Sequence, residues 1–289
     1  MSSYTKEATF EVPPPELRIL PVKSLLPHEE FDVQRVEPLM HRIEDAGIWL
    51  HPPIVTPLPD SEHEYVVLDG ANRCHAMSQL DYPHILVQVV DYNSAQVELD
   101  TWNHVIANLE TSTIVSSIQE LAGVDIQSSD RLSAQAAVAQ RIALAFLIDL
   151  QTQDTYVMRA QADAGQNATA MLRQIVNQYK DRCMLERINT DDVEHVLQMF
   201  QEATTLVVFP HYEPSEVLYA ARERNLLPPG ISRHIIHGRA MRLIYPLQAL
   251  RDSKTSLERK NADLQEWVNR RIQQHAVRYY AESIYTFDD

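Results

Sequence analysis

The stretch VVLDGANRCHAM, residues 66–77, passes from an apolar run through Asp69 and Gly70 into a segment of helical composition. The apolar run favours a strand, Asp-Gly is typical of a turn, and the residues after it favour a helix. A helix that starts directly after such a turn directs unpaired backbone N–H groups outward, and helix ends of this kind bind phosphate. Arg73 lies in the first turn of the expected helix, where its guanidinium could meet the same phosphate. The stretch by itself leaves two interpretations open, a phosphate site and a purely structural turn.

Predicted helices and strands flank this stretch on both sides. Apolar residues at helical spacing predict a helix from Val36 to a stop at Gly47. Two β-rich runs at residues 52–58 and 64–70 flank a polar turn, and HILVQVVDY (84–92) favours a further strand. Their order predicts a compact α/β unit of about 90 residues.

The later sequence is less regular. An alanine-rich stretch at 131–150 favours a helix followed by a strand, and TTLVVFP (204–210) favours a strand. A helix is expected from Ser215, and residues 227–251 have the character of alternating turns and strands. A long helix near the end carries apolar residues along one side: Leu264, Trp267, Val268 and Ile272.

Composition limits the classes of partner. The chain of 289 residues carries 40 acidic and 25 basic side chains, a formal net charge of −15. Such a field repels polyanions, so tight nonspecific DNA binding is not expected, whereas a local arginine and backbone amides can still bind a small anion. The only cysteines, Cys74 and Cys183, provide neither a disulfide framework nor a cysteine-rich metal site. The sequence offers no apolar run long enough for a membrane span and no signal-peptide core, so a cytoplasmic protein is expected.

Taken one at a time, the polar and aromatic residues outside the turn indicate little. Glu29 and Glu30 are typical of a solvated loop, and Trp102 is typical of a core or a domain interface. Arg233 and Arg239 are typical of a charged surface. Residue types alone therefore indicate an α/β protein in which a nucleotide or phosphate site is one open interpretation.

Three segments together resemble a known family. PHEEF (27–31) is similar to a His-Glu segment, LDGANR (68–73) to an Asp-Gly-x-His-Arg box, and DTWNH (100–104) to a Thr-Trp-Gln-His segment. These are segments of the free L-serine kinases, which belong to the ParB/sulfiredoxin superfamily. CMLERI (183–188) and LPPGISRHIIHGRAMRLIYPLQAL (227–250) resemble the second half of the staphylococcal siderophore-locus member.

The resemblance covers residues 17–105 strongly and 175–251 more loosely, and residues 106–174 lie outside it. It implies an α+β fold in three parts. These are an N-terminal arm (1–16), a ParB/sulfiredoxin-like nucleotide-binding domain (17–105) and a mixed α/β C-terminal domain (106–289) that completes the substrate cleft.

The resemblance also implies an activity, namely phosphoryl transfer from ATP or ADP, with Mg²⁺, to the hydroxyl of free L-serine. By that match Glu29 is the catalytic carboxylate. The nucleotide box comprises Asp69, Gly70, Ala71, Asn72 and Arg73, and Asp69 would also support the magnesium of the nucleotide. The amino-acid pocket comprises Trp102, Asn103, His104, Arg233 and Arg239. The implied partners are L-serine and a nucleotide, without DNA or a membrane, and the oligomeric state stays open, with a homodimer among the outcomes.

One departure from the family keeps alternatives open. Asn72 stands where the family has histidine, and asparagine cannot be cationic, so another nucleotide, another hydroxy-amino acid or lost activity would each be compatible with the sequence. A nucleotide- or amino-acid-sensing regulatory protein is the main non-enzyme alternative. Sulfiredoxin chemistry is not expected because Ala71 occupies the place of its cysteine, and Cys74 is expected to pack as a small hydrophobe. A ParB-like DNA clamp would need a basic helix-turn-helix, for which the sequence has no candidate.

Overall fold

The computed structural model describes residues 14–161 and 167–280. In chain order the strands are β1 (Glu16–Pro21), β2 (Leu25–Pro27), β3 (Ile48–Trp49), β4 (Ile54–Pro57), β5 (Tyr65–Asp69), β6 (His84–Val89), β7 (Val97–Thr101), β8 (Asn103–Ala107), β9 (Val124–Ser129), β10 (Ala145–Asp149), β11 (Thr155–Ala160), β12 (Met184–Ile188), β13 (Ala203–Val208), β14 (Ser232–Ile236) and β15 (Tyr245–Pro246). The α-helices are α1 (Val33–Ala46), α2 (Ala71–Gln79), α3 (Thr111–Gln119), α4 (Arg131–Ala139), α5 (Ala168–Asn177), α6 (Val193–Met199), α7 (Pro214–Arg222), α8 (Leu247–Arg251) and α9 (Leu257–Gln273).

The chain divides into two compact units. The first unit contains the described residues up to Leu26, Asp32–Glu98 and the described residues from Ile236 onward. The second unit contains Pro27–Phe31 and Leu99–Ile235. The predicted domain boundary at residue 105 lies near residues 98 and 99, where the chain passes from the first unit to the second. The chain returns to the first unit after residue 235. Most of the predicted N-terminal arm lies outside the described residues.

The first unit is built on a five-stranded mixed sheet. Its strand order is β1-β6-β4-β5-β2, with β1 antiparallel to β6 and β4 parallel to β6. Its core includes the fully buried Ile19, Leu86 and Met77, and the indole N–H of Trp49 donates to the Leu86 carbonyl at 2.9 Å. Strand β5 lies between β4 and β2 in this sheet. The Asp-Gly turn therefore joins a strand that is paired on both edges directly to helix α2.

Helix α9 belongs to the first unit because it packs on β1. The amide of Asn261 both accepts from the backbone N–H of Ile19, at 2.8 Å, and donates to its carbonyl, at 2.9 Å. Leu264 is fully buried, whereas Ile272, expected on the same apolar side, is 40% exposed. Helix α9 lies within the predicted C-terminal domain (106–289), but it packs on the sheet of the first unit.

The second unit is built on a six-stranded sheet of order β12-β8-β13-β10-β11-β9, and every neighbouring pair in it is antiparallel. Phe146 and Leu206 lie in its core. A separate two-stranded sheet pairs β14 with β7. The predicted helix and strand within 131–150 are confirmed as α4 and β10.

The expected α+β fold class is confirmed. Helix α1 ends where predicted, at Gly47, whose φ of 63° is left-handed. It begins at Val33, three residues before the predicted Val36, and Asp32 is its N-cap. Within 14–161 and 167–280, no helix combines the length and the apolar character that crossing a bilayer requires.

Candidate active site

The Asp-Gly turn requires its glycine. Gly70 has a φ of +97°, and a Cβ there would lie 2.7 Å from Nη2 of Arg73 and 3.0 Å from Cβ of Pro53. Left-handed backbone and close approach both favour glycine. Gly70 is the N-cap of α2 and lacks a capping side chain, so the first amides of this helix are available to an anion.

Asp69 lies between two arginines. Nη2 of Arg73 donates to its Oδ2 at 2.8 Å, and Nη2 of Arg239 contacts the same oxygen. Burial raises the pKa of Asp69, but the two guanidinium groups more than offset this effect and hold that pKa below its ordinary value. Two cations on one carboxylate leave a net positive charge beside the N-terminus of α2, which suits an anionic ligand.

Arg73 has further capacity to bind. Its Nε is buried and is among the few buried side-chain nitrogens without a hydrogen-bond partner in the described chain. The side chains of Arg73 and Arg239 retain 24% and 33% exposure, so a ligand can reach both. The predicted box residues Asp69, Gly70 and Arg73 thus come together, and Arg239, predicted for the amino-acid pocket, joins them.

Asn72 and Ala71 have different surroundings. The Oδ1 of Asn72 accepts from the backbone N–H of Asp32 at 2.8 Å, and Asp32 is the N-cap of α1. This bond ties the start of α2 to the start of α1. The side chain of Ala71 is buried, so Ala71 can meet a ligand only through its backbone N–H, one of the first amides of α2.

Glu29 lies in the second unit on a segment held by backbone hydrogen bonds. The N–H of Leu227 donates to the His28 carbonyl at 2.8 Å, and the N–H of Glu30 donates to the Leu227 carbonyl at 2.9 Å. Oε2 of Glu29 accepts from the N–H of Gly230 at 3.0 Å and from the hydroxyl of Ser232 at 3.3 Å. The carboxylate of Glu29 is therefore oriented by two donors.

Glu30 points elsewhere. Its carboxylate lies 3.6 Å from Nε of Arg173 and 3.8 Å from Nζ of Lys180. Adjacent residues of an extended segment face opposite sides, which separates the two glutamates. Glu30 pairs with the cations Arg173 and Lys180, whereas the carboxylate of Glu29 is oriented by hydrogen bonds to its Oε2.

Trp102 and Arg233 form a stacked pair. The guanidinium carbon of Arg233 lies 4.4 Å from the centroid of the Trp102 ring, and Nη1 of Arg233 donates to Oδ2 of Asp100 at 3.0 Å. The backbone N–H of Trp102 donates to the Ile231 carbonyl at 2.9 Å. Arg233 is thus engaged by a carboxylate and by the face of the indole, and its place in the amino-acid pocket stays a prediction.

Asn103 and His104 are buried within the second unit. The amide of Asn103 donates to the Thr190 carbonyl at 3.1 Å and accepts from the N–H of Phe209 at 3.2 Å. His104 has no exposed surface, donates from Nε2 to the Gly230 carbonyl at 3.3 Å, and accepts at Nδ1 from Tyr179 at 2.9 Å. Both residues are therefore held by hydrogen bonds within the second unit, and their place in the amino-acid pocket stays a prediction.

The environment of His104 keeps it neutral. Burial, together with the nearby Arg187 cation, lowers the pKa of His104 to about 3. A neutral ring accounts for the assignment of one donor and one acceptor nitrogen.

Sequence reasoning did not assign roles to Gly230, Ser232 or Arg187. Gly230 has a φ of +71°, and a Cβ there would lie 2.1 Å from Nη2 of Arg187, so the loop needs glycine at this position. The only sequence signal was Pro-Pro-Gly before Ser232, which predicts a turn but not which side chains it brings to Glu29.

Cys74 behaves as expected of a packed residue. Its side chain packs against the first unit's core, and burial raises the pKa of the thiol to about 12. A thiol with such a pKa is protonated at neutral pH and is a poor nucleophile.

The chain was compared with known proteins. No protein-family profile matches it. It is 38% identical over 84 residues to the ATP-dependent L-serine kinase of Staphylothermus marinus, a match that covers 29% of this chain and only 33% of that protein. It is 23% identical over 273 residues to the ATP-dependent L-serine kinase SbnI of Staphylococcus aureus, covering 93% of this chain and 96% of that protein. The solved structure of a free serine kinase in complex with AMP superposes with a TM-score of 0.71 at 13% identity, covering 83% of this chain and 97% of that one.

The chain is related to the free serine kinases. The resemblance inferred from PHEEF, LDGANR and DTWNH is confirmed by these comparisons. The likeness in fold to that free serine kinase covers 83% of the chain, more than the segments on which the sequence resemblance rested.

The residues of this site fit a magnesium ion that is bound mainly by the phosphates of a nucleotide. Within the described residues, no three acidic, histidine or cysteine side chains form a metal cluster. Oδ2 of Asp69 is engaged by two guanidinium groups, which leaves it poorly suited to a metal ion. Mg²⁺ commonly binds substrate phosphates with few protein ligands, and the residues present are compatible with that mode.

Proposed function

We propose that this protein is a free L-serine kinase that transfers a phosphoryl group from ATP to the hydroxyl of L-serine, forming O-phospho-L-serine. The observation that carries the proposal is Asp69 holding two arginines beside the N-terminus of α2. The names of two relatives support L-serine as the acceptor and ATP as the donor. Because nucleotide and free amino acid meet in the cytoplasm, we place the reaction there.

The nucleotide phosphates bind at the Asp69 turn in this proposal. Arg73 and Arg239 supply cationic donors, and the first amides of α2 supply neutral ones. Phosphoryl transfer depends mainly on positioning and on neutralising the charge of the phosphoryl oxygens. Mg²⁺ bound to the phosphates would add to that neutralisation. Asp69 contributes by holding both guanidinium groups in place.

Glu29 activates the acceptor. A serine hydroxyl is a weak nucleophile at neutral pH, and a carboxylate within hydrogen-bond distance can orient it and accept its proton. The backbone of Leu227 holds the segment around Glu29 through His28 and Glu30, and the donors Gly230 and Ser232 orient the Glu29 carboxylate. The indole of Trp102, held by Arg233, provides an apolar wall for the amino acid.

The assignment of Arg239 changes in this proposal. The contact with Asp69 favours a role at the phosphates over the role in the amino-acid pocket that the resemblance implied. Asn103 and His104 are assigned to support of the second unit.

The test is a product assay. Purified protein is incubated with L-serine, Mg²⁺ and either ATP or ADP, and O-phosphoserine is measured by ³¹P NMR and mass spectrometry. Product with ATP, abolished or strongly reduced in Glu29→Gln, is the expected result. Product with ADP alone would overturn the choice of donor, and nucleotide binding without product from either donor would favour the sensing alternative.

A further inference from the structure

We infer that Ser232 is a positioning residue for Glu29 and that His28 orients its hydroxyl, an inference that rests on the proposed function. Nε2 of His28 lies 2.7 Å from Oγ of Ser232, and Oγ of Ser232 lies 3.3 Å from Oε2 of Glu29. His28 is 1% exposed and Ser232 is 9% exposed. The three side chains form a hydrogen-bonded chain that ends at the carboxylate.

The direction of this chain follows from the chemistry of its members. An ionised carboxylate only accepts hydrogen bonds, so the single proton of Ser232 must point to Glu29. The remaining lone pairs of Ser232 Oγ then accept, which requires a proton on Nε2 of His28. The ring of His28 also packs edge-on against His234, with centroids 5.4 Å apart, which restricts its rotation.

The consequence concerns the two oxygens of Glu29. Oε2 receives both the Gly230 N–H and the Ser232 hydroxyl, so Oε1 is the oxygen that would accept the substrate proton. The carbonyl of Gly230 is itself bound by His104, and the guanidinium of Arg187 occupies the space that a side chain at residue 230 would take. Ser232 thus acts with Gly230 to occupy Oε2 of Glu29, which leaves Oε1 to accept the proton of the substrate hydroxyl.

The test compares three serine variants. Ser232→Ala removes one of two donors to a charged acceptor, and we expect kcat to fall about ten- to a hundredfold, with the KM values for serine and nucleotide little changed. Ser232→Thr keeps the hydroxyl and should restore most of kcat. Ser24→Ala is the matched control, because Ser24 is also 9% exposed and donates one hydrogen bond, to the Pro21 carbonyl at 2.7 Å.

A double-variant comparison separates positioning from a general structural effect. If Ser232 acts through Glu29, Ser232→Ala should lower kcat in the wild-type background and have little further effect in Glu29→Gln. An equal factor in both backgrounds, or wild-type kcat in Ser232→Ala, would overturn the inference while leaving the kinase assignment intact. A wild-type protein that makes no phosphoserine would instead overturn the proposed function, and the role of Ser232 with it.

A spectroscopic measurement tests His28 without reference to activity. In ¹⁵N NMR of the labelled protein, with His28→Gln used to assign the signal, Nε2 of His28 should carry a proton. A His28 ring protonated only at Nδ1 would reverse the hydrogen-bond direction and overturn the inference.

Discussion

The carboxylate of Asp69 binds the guanidinium of Arg239, which lies 170 positions later in the sequence. Arg73, four residues after Asp69, contacts the same oxygen. A single acidic side chain thus joins a local arginine to a distant one beside the N-terminus of α2, and the proposed phosphate site depends on both.

Arg73→Ala should weaken nucleotide binding by about ten- to a hundredfold, because a charge-assisted contact to phosphate is lost. Serine binding should change less. Isothermal titration calorimetry with each ligand measures the difference. Arg251→Ala is the control, since Arg251 also pairs with a carboxylate, Glu44 at 3.3 Å, and stacks on the ring of Tyr82. Unchanged nucleotide affinity in Arg73→Ala would contradict phosphate binding at the Asp69–Gly70 turn and would favour a purely structural role for that turn.

Arg239→Ala distinguishes the two roles considered for that residue. If Arg239 serves the phosphates, its loss should raise the dissociation constant of the nucleotide about tenfold. If it serves the amino acid, the KM for serine should rise and nucleotide affinity should stay constant. Steady-state kinetics with each substrate varied in turn, together with calorimetry, decides between them.

Gly70→Ala should destabilise the protein by about 1–3 kcal/mol, because φ is left-handed and the new Cβ meets Arg73 and Pro53. The displaced guanidinium should also weaken nucleotide binding. Gly47→Ala provides the control, since Gly47 has a φ of +63° but nothing within 4 Å of its added Cβ, and its cost should be about 1 kcal/mol from the backbone alone. Chemical denaturation of both variants measures the comparison, and equal costs would remove the close-approach argument.

Glu29→Gln should lower kcat by about 10²–10⁴, the usual contribution of a general base, with little change in nucleotide affinity. Glu30→Gln should leave turnover nearly unchanged, although it removes the carboxylate beside Arg173 and Lys180 and can lower stability slightly. Wild-type turnover in Glu29→Gln would contradict the proposed mechanism.

His104 should make the protein acid-sensitive. Its pKa is lowered to about 3 in the folded state, below the ordinary value of about 6.5 in the unfolded chain. A histidine of this kind contributes its full stability above the unfolded pKa, and that contribution declines as the pH falls from about 6.5 toward 3. The slope for one proton approaches about 1.4 kcal/mol per pH unit. Denaturation of wild type and His104→Gln across this range should show a shallower decline in the variant, and parallel curves would contradict the prediction.

The sequence by itself determined the turn and its neighbours. An apolar run, the Asp-Gly turn, helical spacing of apolar residues and Gly47 placed β5, α2 and the end of α1, because these signals depend on residues close together in the chain. Three short segments carried the likeness to the free serine kinases, and Asp69, Gly70 and Arg73 could be assigned to one site because they are adjacent in sequence.

Only the tertiary structure decided which distant residues join them. Arg239 reaches Asp69, and Gly230 and Ser232 reach Glu29, across separations of 170 to 203 residues that local spacing cannot encode. The same holds for helix α9, whose apolar side was visible in the sequence but whose packing on β1 depends on hydrogen bonds between Asn261 and Ile19. Local propensity acts over a few residues, whereas the burial of His104 and the pairing of Arg233 with Asp100 depend on the complete packing of the fold.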